Sequence, residues 1–161
     1  MIVRTGFVSN SSSSSFVVAF PSIPQNVKEM QKLIFGDEEI FNSGLDYYEL
    51  NEYSTKSFAD VIFDDFKGQS PATRDQIKKE FNAGYLDGSP ESPSYTDKKE
   101  WDKWEQANKK YCDNIAEQFI KKSKSKFFYI FSYSDNDGGF YGTMEHGEIF
   151  KRLHYYRISH H

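Results

Sequence analysis

Five consecutive serines, Ser11 to Ser15, stand between two β-prone apolar runs and restrict how the start of this chain can fold. Ile2-Val3 with Phe7-Val8 precede the block, and Phe16 to Phe20 follows it. Between domains such a block reads as a disordered linker, but between strand-like runs a tight loop or hairpin connection is the better reading. Ser and Asn side chains bond to nearby backbone, so a loop over Ser9 to Ser15 could satisfy itself. A backbone cradle for an anion would normally need glycines, which this stretch lacks. Contact with a partner is the other use for such a loop.

A chain of 161 residues is expected to form one domain, 1–161, with room for a real core. The net charge of −4 is spread along the sequence, so no nucleic-acid-binding face is expected. Aromatic content is high at 17%, with 15 Phe and 11 Tyr, which supplies large buried area and, where exposed, anchors for protein contact. Cys112 is the only cysteine. An internal disulfide is therefore impossible, and the reducing cytosol is the expected compartment. No apolar run has the length of a membrane span or of a secretory signal, so no membrane partner is expected.

Along the chain, Asn26-Val27-Lys28-Glu29 reads as a capped helix start, with Val27, Met30, Leu33 and Ile34 on one face and Gly36 at the end. The acidic Asp37-Glu38-Glu39 leads into Leu45 to Tyr53, a short strand or ordered loop. Ser54 and Thr55 can cap a second helix carrying Phe58, Val61, Ile62 and Phe66, closed by Gly68. Ser70-Pro71 places a third helix start, with Ile77 and Phe81 inward and Gly84 beyond. Residues 87–95, rich in Pro and Ser, read as an exposed loop.

Thr96 is expected to cap the longest helix, 97–122, with Trp101, Trp104, Tyr111, Ile115 and Phe119 on its inner stripe and Cys112 on a polar or boundary face. Phe127 to Tyr133 is the strongest strand. Asp135 to Gly139 would turn it back into a hairpin partner at Phe140 to Thr143, Glu145 to Leu153 could give one or two helical turns, and His154 to Ser159 a last strand. The expected class is α+β, an antiparallel sheet from the N- and C-terminal strands with about four helices packed on it.

No convincing catalytic set is legible. Asp64-Asp65 and Glu38-Glu39 are adjacent carboxylates that point apart, and Cys112 has no base fixed beside it. Asp135-Asn136-Asp137-Gly138 resembles the start of a calcium loop, but its glycine comes too early. Gly138-Gly139 with Gly142 lacks the spacing of a dinucleotide loop. The four histidines all lie near the C-terminus, and Glu145, His146, His154 and His160 form an alternative metal set that matches no zinc signature. These features favour a binding function without a cofactor. The expected contacts are Glu38, Glu39, Phe41, Tyr47, Tyr48 and Tyr53, Tyr95 in the Pro/Ser loop, and Trp101 with Trp104.

The string Gly6-Phe7-Val8-Ser9-Asn10, five serines and Phe16, with Ser134 to Gly138, Glu145-His146-Gly147 and Ser159-His160-His161, resembles a group of small proteins of T-even-type bacteriophages and some bacteria. In length, mass and opening the chain is most similar to the T-even phage inhibitors of the host Lon protease. That resemblance implies a protein of the host cytoplasm that binds the ATP-dependent Lon protease and protects phage proteins from it. It brings no catalytic residues. A small metal-assisted enzyme and a phage assembly protein are the other classes, and pairing with a second copy of the chain stays open.

Overall fold

A computed structural model of the chain describes residues 13–45, 51–94, 97–125 and 127–160. The fold is α+β and is organised on strand β1, Ser13–Phe20. The C-terminal strands β4, Phe127–Ser134, and β5, His154–Ser159, pair antiparallel with β1 on either side, in the order β4-β1-β5. The two ends of the described chain thus share one sheet, as the apolar patterning predicts. The expected partner strands at Ile2-Val3 and Phe7-Val8 lie outside the described residues.

Because β1 is central, both edges of its backbone are hydrogen-bonded and both faces can be covered. Alternate side chains point to opposite faces. Phe16, Val18 and Phe20 join one apolar cluster with Tyr129, Phe131 and Phe150, while Val17 and Ala19 join a second with Phe128 and Ile158. The first cluster is covered by α1, Val27–Phe35, α2, Thr55–Phe66, and α5, Gly139–His146. The second is covered by α3, Arg74–Ala83, and α4, Lys98–Lys122. Helices therefore sandwich the sheet. A short ribbon, β2 at Ile40–Asn42 paired with β3 at Glu52–Ser54, lies against the first layer through Phe41 and Tyr53.

Several expectations hold in detail. Asn26 Oδ1 accepts from Glu29 N at 2.9 Å and starts α1, and the backbone N–H of Gly36 closes it on Lys32 O. Gly36 has φ 62°, the left-handed region that favours glycine, and the Arg152 guanidinium lies against it. Ile77 and Phe81 point inward from α3.

Others are corrected. Ser13 to Ser15 belong to β1 rather than to a loop, and Ser14 and Ser15 are buried at 0% and 2% exposure. Helix α3 starts at Arg74, not at Ser70-Pro71. A reciprocal cap decides this: Thr73 Oγ1 accepts from Gln76 N at 3.2 Å while Gln76 Oε1 accepts from Thr73 N at 2.8 Å. Asp97 Oδ1 caps α4, and Thr96 lies outside the described residues. Cys112 is not at a boundary. With Ala116 and Phe119 it forms the fully covered line of α4, whereas Tyr111 and Ile115 flank that line half-buried.

The segment after β4 does not turn back as a hairpin. Asp135–Asp137 form a 3-10 turn, started by Ser134 Oγ accepting from Asn136 N, and Gly138 at φ 103° passes the chain into α5. Phe140 and Tyr141 look strand-like in isolation, but Phe140 stacks on Phe58 at 4.7 Å and meets Tyr53 at 5.5 Å. Packing on the core overrides local propensity here. Residues 145–153 hold the end of α5 and a run of turns rather than a further helix.

Candidate functional site

One end of the sheet carries an unusual amount of buried polarity. β1 enters there through its serines, β4 leaves through Ser134 and β5 ends at Ser159. The period of the strand sends Ser14 to the Phe16 face and Ser15 to the Val17 face, so the serine pair serves two separate networks.

On the first face, Ser14 Oγ donates to Glu145 Oε1 at 3.1 Å and accepts from Arg157 Nε at 3.0 Å. Glu145, in the last turn of α5, is 1% exposed, and its Oε2 accepts from the backbone N–H of Asp135 at 2.8 Å. A buried carboxylate needs such donors, because desolvating an unpaired charge is expensive. His146 Nε2 lies 3.4 Å from Glu145 Oε2 and 3.5 Å from Asp135 Oδ2, and Arg157 Nη2 approaches His146 Nδ1 at 3.3 Å. Asp135, Glu145 and His146 each offer a ligand atom within 4.8 Å of the others.

On the second face, Ser15 Oγ lies 2.6 Å from His160 Nε2 and 3.1 Å from Ser132 Oγ. Glu80, from α3, reaches the same His160 nitrogen at 3.4 Å. The Glu80 carboxylate raises His160 above the ordinary imidazole range, against the opposing effect of burial, and the backbone of Ala83 adds to the rise. His160 in turn holds Glu80 below the usual carboxylate range. The arrangement looks like a serine–histidine–acid set, but both partners share one ring nitrogen and the Ser15 hydroxyl is sealed within the sheet at 2% exposure. It functions as a tie between α3, β1 and the end of β5.

Of the alternative metal set, Glu145 and His146 come together, and the third group beside them is Asp135. His154 and His160 are elsewhere. His154 stacks on Phe119 at 4.3 Å and 12°, with Nε2 at 2.9 Å from Phe119 O, and His160 belongs to the Glu80 network. The sequence signal for Asp135 was its position ten residues before Glu145, across a glycine-containing turn that folds the chain back.

The expected partner contacts are dispersed. Glu38 pairs with Arg152 at 2.9 Å, and the Glu39 carbonyl accepts from Thr55 N while its side chain is exposed. Phe41 is corrected to core: it is 3% exposed and packs on Phe35 and Phe58 at 5.7 and 5.9 Å. Its neighbour Ile40, which strand alternation turns outward, is 58% exposed instead. Tyr53 is half-buried against Phe58. Tyr47, Tyr48 and Tyr95 lie outside the described residues. Trp101 and Trp104 are half-buried in an edge-to-face pair at 5.3 Å, and Trp104 Nε1 donates to Pro90 O at 2.9 Å. With Tyr111 donating to Asp87 O at 2.5 Å, this fastens the Pro/Ser loop along α4.

Comparison with protein-family models, curated proteins and solved structures finds no match. The site must be read from its own chemistry.

Asp64 and Asp65 point apart as expected: Asp64 pairs with Lys67 at 2.6 Å, and Asp65 accepts from the buried Tyr133 hydroxyl at 3.3 Å. Shallow grooves of about 460 and 360 Å³ lie beside Arg74, away from the polar end of the sheet. No helix among the described residues is long and apolar enough to cross a membrane.

Proposed function

We propose that this protein acts by binding, and that its partner is the ATP-dependent Lon protease of a bacterial host, in whose cytoplasm it would work. The observation that carries the reading is the meeting of the phage-like segments. Ser14 and Ser15, Ser134 to Gly138, Glu145 to Gly147, and Ser159 with His160 are far apart in the chain yet adjacent at one end of the sheet. Segments that interlock in this way define one structural unit, which supports treating the likeness as one of architecture rather than of low-complexity composition.

The mechanism proposed is restraint of the ring. Lon moves its ATPase modules relative to one another to draw substrate in, and a rigid folded wedge that prefers one arrangement holds the ring there. The β2–β3 ribbon supplies a contact: Ile40 is exposed and follows the exposed acids Glu38 and Glu39, while Tyr53 faces inward with Phe41. An exposed apolar side chain among acids can seat in a pocket with a basic rim.

The test is capture of Lon from host lysate by the tagged protein, followed by ATPase and casein-degradation assays with purified Lon. Recovery of Lon with loss of casein degradation supports the reading. If Lon neither binds nor slows, the proposal fails. Equal block of a short unstructured peptide and a folded substrate, with ATP turnover intact, would replace ring restraint by occlusion of the peptidase site.

A further inference from the structure

Asp135, Glu145 and His146 converge from two elements, the 3-10 turn and the last turn of α5, onto a partly open point. The Glu145 side chain is fully buried, while His146 and Asp135 are 22% and 32% exposed, so the point is supported from inside and reachable from solvent. Glu145 is held in place by Ser14 Oγ on one oxygen and by the Asp135 N–H on the other. Ligands fixed by such outer hydrogen bonds are what a built metal site requires.

Two of the three ligand–ligand distances fit a small cation, and the third pair, Asp135 with Glu145, lies within 4.8 Å. Bonds of about 2.0–2.2 Å to nitrogen and carboxylate oxygen place tetrahedral ligands about 3.3–3.6 Å apart. His146 Nε2 stands 3.4 Å from Glu145 Oε2 and 3.5 Å from Asp135 Oδ2. An imidazole with two carboxylates selects a first-row ion such as zinc over calcium or magnesium, which prefer oxygen alone.

Arg157 is the competing feature. A guanidinium can only donate, so its approach to His146 Nδ1 at 3.3 Å makes that nitrogen the acceptor and leaves the ring proton on Nε2, facing the carboxylates. We propose that the trio is a site for a divalent first-row cation and that Arg157 closes it in the ion-free state. On binding, the ion takes the place of the Nε2 proton, the neutral ring carries its proton on Nδ1 instead, and Arg157 turns to solvent. Its side chain is already 39% exposed, and in turning it gives up its bond to Ser14 Oγ and its 3.9 Å pairing with Glu145 Oε1. The ring changes tautomer and releases no proton. This inference is independent of the Lon reading.

Titration of the full chain with Zn²⁺ by calorimetry, with Mg²⁺ as control, tests it. One zinc is expected per chain, with little heat from Mg²⁺. His146→Ala and Asp135→Asn should each weaken zinc by at least about tenfold, while Arg157→Gln should tighten it several-fold, on the order of the gain from removing one adjacent like charge. Co²⁺ should give the absorption bands of a low-coordinate site in the parent and not in His146→Ala. Melting curves establish that each variant is folded. Absence of zinc binding to the parent overturns the site. So does zinc binding that survives His146→Ala and is lost on truncating the terminal His160-His161 pair.

Discussion

The Ser14 hydroxyl and the Glu145 carboxylate, 131 positions apart, meet at 3.1 Å in the buried end of the sheet. This contact joins the central strand to the last helix, and it accounts for a serine where the strand pattern would otherwise take an apolar residue. Ser14→Ala leaves Glu145 buried with one donor fewer. The expected loss is about 1–3 kcal/mol of stability, measured as a fall in the urea midpoint. A midpoint equal to that of the parent would mean that Glu145 does not depend on this hydroxyl.

His160 and Glu80 give the fold a pH dependence with a definite sign. His160 is raised in the folded state, so its contribution is fully present below its ordinary value of 6.5 and fades as pH climbs through the higher folded value. Glu80 is lowered, so its contribution is present above its ordinary 4.5 and fades as pH falls through the folded value. Both act together between pH 4.5 and 6.5. Relative to His160→Gln, the parent should lose stability from pH 6.5 upward. Parallel urea-midpoint profiles for the two proteins from pH 5 to about 8 would refute the coupling.

Gly84 sits where the end of α3 touches β5. A methyl group there would meet the Ser159 carbonyl and the Ile158 side chain at distances no Cβ tolerates. The clash involves backbone, so a side-chain rotation does not relieve it. Gly84→Ala should cost about 1–3 kcal/mol and disturb the His160 ring resonances, which lie in the same joint. An unshifted melting temperature would show that the two elements separate easily.

Ile40 stands out of the β2–β3 ribbon while Phe41 beside it is core. Ile40→Lys should leave the melting temperature unchanged and weaken Lon inhibition by about tenfold or more. Full inhibition by this variant would remove the ribbon from the contact surface and turn attention to Trp101 and Trp104.

Where local pattern and global packing agree, the sequence was sufficient. The run Phe16 to Phe20, the Asn26 cap, and the strand Phe127 to Tyr133 carry strong periodic or capping signals and fall where expected. Where long-range contacts decide, it was not. The serines read as a loop because the groups that receive them inside the sheet, Glu145, Ser132 and His160, come from more than a hundred residues away. Phe140 reads as strand because the ring that holds it in a helix, Phe58, comes from another layer. The candidate site was half legible. Glu145 and His146 are neighbours in sequence, but Asp135 and Arg157 join them only through the turn after β4 and the register of β5.

Cys112 offers a use that the fold did not need it for. It is the only thiol in the chain, it is 0% exposed between α4 and the sheet, and burial pushes its pKa up. A thiol reagent therefore reacts only when the α3–α4 layer lifts. The labelling rate is a clock for that opening, carried by the natural sequence, and a bound partner that clamps this layer would slow it.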